Sequence, residues 1–533
     1  MDEEKEKVYI FDTTLRDGSQ LEGISLSVED KFAICEQLDL LGVDFIEAGW
    51  PGANPKDSEF FSRAKDELHL MNSRLVAFGS TRKANNNAQN DPVMASLLEA
   101  NVDDVCIFGK TWDYHVTETL KTSLDEGIKM IFDSVSYLVS KNKTVHFDAE
   151  HFFDGYKNNP KYALDCIESA CNAGAKFVVL CDTNGGTLPH EIKEIISQVK
   201  QVLTKYDVVI SIHTHDDGAL AVANALEAVR AGAREVQGTI NGYGERTGNC
   251  NLIPVIANLS LKTKYKTNSD LSLLSNVAIS VAELVNMPLN PQAAYVGEKA
   301  FAHKAGVHTS AISRRSDAYE HIDPSVVGNK TRFVVSEMAG KSAIEIKAHE
   351  LGIELTQLQI SELTQKLKEL EYNGYHFEVA EASLELLMRK LTGYKQDWFE
   401  IIGYEVQVNE NNATSLNFDE SSTLSTTAKI ELRIGSEKFI EMAHGNGPVN
   451  ALDNALRQAI SSKYPQINKV HLLDYKVRIL NSDKATGAVT RVLIVSSNGN
   501  ESWTTIGVSQ NIIEASWQAL CDALIIGLIR TQD

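Results

Sequence analysis

The first half of the chain alternates two hydrophobic patterns. Short apolar runs, rich in β-branched and aromatic residues, are each followed by a longer segment in which apolar residues return at helical spacing. The segment Ser27–Leu41, for example, repeats Phe32, Leu38 and Leu41 on one face of a helix. This rhythm occurs eight times between Val8 and about Leu261, with runs that begin at Val8, Asp44, Arg74, Asp103, Thr144, Lys176, Val208 and Glu235.

Eight βα units in roughly 250 residues match the number and length of a TIM (β/α)8 barrel. The alternative is a doubly wound open sheet. That fold usually has fewer strands, and no GxGxxG pattern follows the first run. The sequence therefore predicts an α/β chain whose catalytic TIM barrel occupies residues 1–275.

The pattern changes after the barrel. Residues 276–400 are predicted to form mostly helical, flexible linker subdomains, and strands return in residues 401–533. Two predicted helices, Val449–Ser461 and Gln510–Ile526, each follow a pair of strands. They align when Asn450 is matched to Asn511, an offset of 61 residues. We therefore predict a C-terminal α+β domain with a duplicated ββα unit, which is regulatory or dimerising rather than catalytic.

Composition narrows the class of protein. The 533 residues carry 51 basic and 72 acidic side chains, a net charge of −21, which disfavours nucleic acid as a partner. We expect no membrane span, because no apolar run looks long enough, and the charged segment Met1–Lys7 is not a signal peptide. Seven cysteines without a CxxC pair indicate free thiols in a reducing compartment, the cytoplasm.

Candidate chemistry is concentrated where the predicted strands end, since TIM-barrel active sites lie at the carboxyl ends of the strands. His213 and His215 are two residues apart on the seventh run, so both point into the barrel. With Asp17, which follows the first run, they form a two-histidine, one-carboxylate metal set. Asn249 could add a carbonyl oxygen after the eighth run. A surface ion pair of Arg16 with Asp17 and a plain glycine-rich turn around Asn249 are the alternatives.

Further polar residues follow the fifth and sixth runs. Asp148 and Glu150 share a strand face, and Thr183 follows the next strand. A carboxylate, a hydroxyl and Arg16 around a metal suit enolate chemistry, in which the metal polarises a ketone and the arginine supports negative charge. Beyond the barrel, His303 and His308 lack metal-ligand spacing and could be ordinary surface groups.

Taken together, these motifs resemble a known family. LRDGSQ from Leu15, HTH from His213, GERTGN from Gly244 and GVHTSA from Gly306 are similar to the DRE-TIM metallolyases. Among these, the chain resembles the 2-isopropylmalate, homocitrate and citramalate synthases over nearly its full length. Segments such as GWPGANPKD, FGKTWDYHV, AYEHIDPSVVGN and GVSQNIIEASWQAL most resemble the longer bacterial type of (R)-citramalate synthase.

The resemblance implies roles for individual residues. Asp17, His213, His215 and Asn249 correspond to ligands of a divalent metal (Mg, Mn or Zn). Arg16 corresponds to the arginine that polarises a 2-oxo acid and stabilises the enolate. Substrate contacts are implied for His115, Asp148, Glu150 and Thr183, with Glu150 also a participant in proton transfer. His308, a candidate base for acetyl-CoA, and Tyr319 correspond to groups that the flexible subdomain offers, in the family, to the neighbouring subunit's active site.

The implied reaction is a Claisen-type condensation of acetyl-CoA with pyruvate, which gives citramalate and CoA in an acyltransferase step of isoleucine biosynthesis. The resemblance further implies a homodimer and an isoleucine feedback ligand at the C-terminal domain. Three alternatives remain: another 2-oxo acid, giving 2-isopropylmalate or homocitrate; the reverse cleavage of a hydroxymethylglutaryl-CoA lyase; or a non-catalytic binding protein. Asp148 departs from the aromatic residue of some shorter citramalate synthases, and Asp216 replaces the family's usual asparagine, adding a carboxylate near the predicted metal.

Overall fold

A computed structural model describes residues 5–304, 311–312, 315–335, 340–394, 398–410, 424–480 and 487–531 of the chain. These residues form two compact units. One comprises Met1–Phe301 with Ile322–Lys330, and the other comprises Ala302–His321 with Thr331–Asp533. Each unit has its own hydrophobic core.

The first unit is built on a closed barrel of eight parallel strands, as predicted. A short strand, β1 (Glu6–Lys7), precedes the barrel and pairs with β10 (Tyr265–Lys266) after it. The first barrel strand pairs with the second and with the last, so the sheet closes on itself. The barrel strands are β2 (Tyr9–Asp12), β3 (Phe45–Gly49), β4 (Arg74–Ser80), β5 (Asp104–Lys110), β6 (Thr144–Glu150), β7 (Phe177–Asp182), β8 (Val209–Thr214) and β9 (Glu235–Gly238).

Helices surround the barrel, and local signals set their ends. The first helix begins with a capping box, in which Ser27 accepts from the Asp30 N–H and the Asp30 carboxylate accepts from the Ser27 N–H. It ends at Gly42, whose φ of 84° is the left-handed conformation that glycine favours. The helices are α1 (Val28–Leu41), α2 (Pro55–Glu67), α3 (Pro92–Glu99), α4 (Leu124–Ser140), α5 (Phe152–Asn158), α6 (Pro160–Asn172), α7 (Pro189–Leu203), α8 (Ala221–Ala231), α9 (Leu252–Lys262) and α10 (Leu274–Leu284).

The barrel interior contains a buried ionic cluster among aromatic rings. The ring of His146, fully buried on β6, stacks on Phe177 with centroids 4.1 Å apart. Its Nδ1 lies 3.5 Å from Glu235 Oε2 and its Nε2 lies 3.6 Å from Asp104 Oδ1. Arg74 also contacts Asp104, at 2.5 Å. Burial alone would lower the pKa of His146, but the two carboxylates raise it to about 9. The imidazolium therefore balances charge that the barrel buries.

The second unit ends in two copies of one motif. Three antiparallel strands precede each of two helices, so each copy is βββα, a correction to the predicted ββα unit. The additional strand of the first copy, Glu400–Glu410, precedes the predicted strand pair and lies almost wholly within residues 401–533, where strands were expected. The copies are β13 (Glu400–Glu410), β14 (Leu424–Ile434), β15 (Glu437–Gly445) and α14 (Pro448–Ser461), then β16 (His471–Ile479), β17 (Thr490–Ser497), β18 (Ser502–Ser509) and α15 (Ile512–Arg530).

Between the barrel and these repeats the structure is largely helical, as predicted for this stretch. One helix of this stretch ends at Tyr372 and the next begins at Glu381. Two short strands, β11 (Ala302–His303) and β12 (Arg332–Phe333), pair in parallel, and three helices follow: α11 (Lys341–Glu350), α12 (Gln357–Tyr372) and α13 (Glu381–Leu391).

One helix of the described chain, α15, is long and apolar enough to cross a membrane by length and composition. The expectation that the sequence holds no such run was therefore wrong. Most of this helix is buried, however, and residues such as Ala519, Ala523 and Leu524 belong to the core of the second unit. Its apolar character is accounted for by packing within the protein.

We expect the buried His146 to make stability depend on pH. Because the pKa of His146 in the folded chain, about 9, exceeds the usual value of about 6.5, its contribution is complete below pH 6.5 and is lost as pH rises through 9. Between pH 7 and 9 the wild type should lose up to about 1.4 kcal/mol of unfolding free energy per pH unit relative to His146→Gln. Urea unfolding at both pH values measures this difference. His190→Gln, at an exposed histidine, is the control, and equal pH slopes for wild type and His146→Gln would contradict the assignment.

Candidate active site

All four predicted metal ligands lie together at the carboxyl-terminal end of the barrel. Asp17 follows β2, His213 and His215 lie at the end of β8, and Asn249 follows β9. All four residues are buried. Asp17 Oδ2 is 3.2 Å from His213 Nε2 and 3.9 Å from His215 Nε2, and the two imidazole nitrogens are 3.3 Å apart. The arrangement rules out the alternative of a surface ion pair for Asp17.

Backbone pairing brings the loop after β9 against the end of β8. His215 and Asn249 form an isolated antiparallel bridge, and the Cys250 N–H donates to the Thr214 carbonyl at 2.9 Å. Glycine is required for this approach. Gly244 has a φ of 153°, and a Cβ there would lie 2.2 Å from Asn249 Oδ1. The glycines of the loop therefore leave space for the asparagine amide, so the loop is more than a plain turn.

The donor set fits a divalent cation. Asp17, His213 and His215 each offer a ligand atom within 4.8 Å of the others. Asn249 points its Nδ2 at Asp17 Oδ2, 2.7 Å away, and its buried Oδ1 has no hydrogen-bond partner. A half-turn of the amide, whose two orientations X-ray data seldom distinguish, would present that oxygen as a fourth ligand. Two imidazoles, a carboxylate and an amide oxygen are donors that divalent ions accept.

Charge in this group favours the metal-binding protonation states of Asp17 and His215. Burial would raise the pKa of Asp17, but the Arg16 guanidinium and the two histidines hold it well below its usual range. Burial, together with the neighbouring His213, lowers the pKa of His215 to about 4. An ionised carboxylate beside a neutral imidazole is the form in which both residues bind metals.

Arg16 is fixed beside the metal group by a buried ion pair. Its Nε donates to Glu47 Oε2 at 2.6 Å, its Nη1 lies 3.3 Å from Asp17 Oδ1, and its guanidinium lies over the Phe78 ring at 3.8 Å. Burial and the nearby Asp148 raise the pKa of Glu47 to about 7, although Arg16 opposes the shift. The guanidinium is thus held rigidly where negative charge would develop on a substrate.

Asp148 supports the metal group through Gln237. Gln237 Oε1 is 2.9 Å from His213 Nδ1, and its Nε2 donates to Asp148 Oδ1 at 3.4 Å. The amide oxygen accepts a hydrogen bond from the Nδ1–H of His213. The Nε2 lone pair of His213 is then directed at Asp17 and His215. The structure thus shows Asp148 buried behind the histidine.

The other predicted substrate groups lie at neighbouring strand ends. Glu150 ends β6 and pairs with Lys110 of β5. Thr183 follows β7, its hydroxyl accepts from the His151 N–H at 2.9 Å, and its carbonyl accepts from Arg246. His115 begins the π-helix His115–Thr119.

The His115 ring lies against that of His151, with centroids 4.5 Å apart. Burial and the neighbouring His151 lower the pKa of His115. A substrate role for His115, Glu150 and Thr183 stays a prediction.

One predicted catalytic residue, Tyr319, lies outside the barrel unit. His308 falls outside the described residues. Tyr319 belongs to the second unit, follows the 3-10 turn Ser316–Ala318 and is 48% exposed. Asp216, the departure from the family pattern, accepts from the Ala221 N–H at 2.9 Å and so caps the start of α8. Its carboxylate therefore serves the helix and does not join the Asp17–His213–His215 group.

Sequence reasoning missed three supporting residues: Glu47, Lys110 and Gln237. Each is a polar side chain on a barrel strand, which is the signal that could have found them. Gln237 lies two residues from the buried Glu235 on β9, the same spacing that singled out the histidines on β8. Glu47 lies in the second hydrophobic run.

Comparisons with known proteins agree with this geometry. Family models match in order along the chain: HMGL-like over residues 7–281, homocitrate synthase post-HMGL domain-like over 295–374, and LeuA allosteric (dimerisation) domain over 378–526. The chain is 50% identical to an (R)-citramalate synthase of Aquifex aeolicus over 99% of both chains. It is 47% identical to one of Synechocystis over 98% of this chain and 96% of the relative.

A relative with lower identity is named as a different synthase. A probable 2-isopropylmalate synthase of Methanopyrus kandleri is 32% identical over 96% of this chain and 97% of its own. The identity to the two citramalate synthases of Aquifex aeolicus and Synechocystis is higher, and it extends through barrel, helical segment and repeats alike. The chain therefore belongs to the HMGL-like family and, within it, to the family of (R)-citramalate synthases.

Proposed function

We propose that this protein is an (R)-citramalate synthase, an acyltransferase that condenses acetyl-CoA with pyruvate to give citramalate and CoA. The observation that carries the proposal is the buried Asp17–His213–His215 group beside Arg16, in a chain 50% identical over its whole length to such an enzyme. A divalent ion (Mg, Mn or Zn) held by these residues and Asn249 would chelate a 2-oxo acid and polarise its ketone.

The residues around that group suit the condensation. Arg16, locked by Glu47, would stabilise the negative charge that grows on the ketone oxygen as the new carbon–carbon bond forms. Glu150, paired with Lys110, could move a proton, and Thr183 and His115 would contact the substrates. We propose His308 as the base that takes a methyl proton from acetyl-CoA, and Tyr319 as its companion. Hydrolysis of the citramalyl thioester then releases CoA.

The finer organisation is also part of the proposal. We assign catalysis to residues 1–275, linker subdomains to 276–400 and feedback regulation to 401–533. The LeuA-type match supports a homodimer, and we propose isoleucine as the feedback ligand, which places the reaction at the start of an isoleucine pathway. The seven free cysteines, six of them buried, support a reducing cytoplasmic location.

The substrate is tested by CoA release. A thiol reagent would follow acetyl-CoA with divalent metal and, in separate reactions, pyruvate, 2-oxoisovalerate or 2-oxoglutarate. We expect a strong preference for pyruvate. Preference for another acid would retain the barrel and reaction class but make the enzyme a 2-isopropylmalate or homocitrate synthase. No release with any acid would favour the reverse cleavage of a lyase.

The metal role is tested at His213. His213→Ala should lose bound divalent metal and reduce kcat/KM by about two to three orders of magnitude, because a ligand and its Gln237 contact both disappear. Elemental analysis and circular dichroism would accompany the assay. His190→Ala, at an exposed histidine of α7, should match the wild type. Full activity in a folded, metal-free His213→Ala protein would refute the role.

The geometry at Arg16 predicts that lysine is not a substitute. A lysine keeps the charge but cannot donate to Glu47 while lying over Phe78, so kcat should fall by about 100-fold with the metal retained. Steady-state kinetics with pyruvate measures the effect. Arg63→Lys, at a surface arginine of α2, serves as the control. A lysine variant with wild-type kcat would show that a fixed guanidinium is not needed.

A further inference from the structure

A basic groove lies in the second unit, at the turn that follows α12. It encloses about 600 Å³ and is lined by Lys304, Lys368, Glu371, Tyr372, Tyr375, His376 and Arg491. This volume is within the range of sites that hold small organic ligands. None of these residues was implicated by the sequence motifs or belongs to the metal group.

The groove is positively charged although the chain carries a net charge of −21. Lys304, Lys368 and Arg491 line it with one carboxylate, that of Glu371, and Lys304 is also paired with Glu378 at 2.8 Å. Glu371 Oε1 accepts from the Phe377 N–H at 3.2 Å, so this oxygen already has a hydrogen-bond partner within the turn. A concentration of cations on an acidic protein attracts anions selectively to that point of the surface.

Two arginines beside the groove, Arg478 and Arg491, lie opposite each other on neighbouring strands. Arg478 of β16 and Arg491 of β17 are direct partners in the antiparallel register. Like charges placed opposite each other on one sheet face destabilise the pair. Burial and repulsion from Arg478 lower the pKa of Arg491, although Glu371 opposes the shift. A bound anion would relieve the repulsion between Arg478 and Arg491.

The position of Arg491 is fixed. Its Nε donates to the Gly374 carbonyl at 2.6 Å, which holds the guanidinium at the turn after α12. The α12–α13 turn and the second βββα copy therefore meet at this arginine. The groove is in consequence a built feature of the second unit.

Aromatic rings accompany the cations. Tyr372, the last residue of α12, is 91% exposed, and the ring of Tyr375 stacks on Phe377 with centroids 5.6 Å apart and planes 13° from parallel. A flat ring with an exposed face next to basic side chains suits a ligand that carries both a planar base and phosphates. Inorganic phosphate alone would leave the rings unused.

We propose that this groove binds the phosphates and base of an adenine nucleotide. Lys368, Arg491 and Arg478 would contact the phosphates, and Tyr372 would stack on the base. Two sources share this chemistry: the nucleotide end of coenzyme A, or a free adenine nucleotide. Only the first source rests on the proposed function, because acetyl-CoA is then the co-substrate.

The test is calorimetric titration of the full-length protein with adenosine 3′,5′-bisphosphate, ADP and inorganic phosphate. We expect saturable nucleotide binding that weakens at high ionic strength. Lys368→Gln and Arg478→Gln, both at exposed positions, should each weaken it by about three- to tenfold. Lys366→Gln is the matched control, since Lys366 lies on the same helix but pairs with Glu369 away from the groove.

Each outcome decides the proposal or its source. A raised KM for acetyl-CoA with unchanged kcat in Lys368→Gln identifies coenzyme A as the ligand. Binding of ADP with an unchanged acetyl-CoA KM identifies a free nucleotide. Absent nucleotide binding, wild-type affinity in both variants, or phosphate binding as tight as nucleotide binding would overturn the proposal. Failure of the proposed function would appear separately, as missing condensation with pyruvate in a protein that still binds nucleotide.

Discussion

The pairing of β2 with β9 is the interaction on which the active site depends. It closes the sheet, and closure places the ends of the first, seventh and eighth barrel strands on one rim. Asp17 and Asn249 are 232 residues apart in sequence, yet their side chains are 2.7 Å apart. No local signal could create this proximity. It follows from a ladder of parallel strands whose last member must return to the first.

Closure also explains why the barrel tolerates so many buried ionisable groups. At one end, Arg16 is balanced by Glu47 and Asp17. Elsewhere in the interior, His146 lies between the carboxylates of Asp104 and Glu235. A buried charge that loses its partner costs several kcal/mol, so each cluster constrains its members to one arrangement. In the first cluster this constraint fixes Arg16, and in the second it makes stability sensitive to pH.

The second unit is built on apolar packing. The second βββα copy contains a buried apolar helix, α15, whose composition alone would suit a membrane. Surrounding strands and helices bury it instead. The groove at Arg491 forms where the turn after α12 meets the sheet of the second copy.

The sequence by itself determined the barrel, the Asp17–His213–His215 group and the duplication. Hydrophobic periodicity predicts each element locally, and a two-residue spacing places His213 and His215 on one face of a strand wherever that strand lies. It did not identify the additional strand that begins at Glu400, and it missed Glu47 and Gln237. Their roles arise from partners on other strands.

Only the tertiary structure decided how these residues work together. It directs Asp148 to Gln237, uses Asp216 to cap a helix and places Arg478 opposite Arg491. The physical reason is range. Periodicity records which face of its own element a residue occupies, whereas hydrogen bonds and charge interactions depend on which elements the fold brings within a few ångströms.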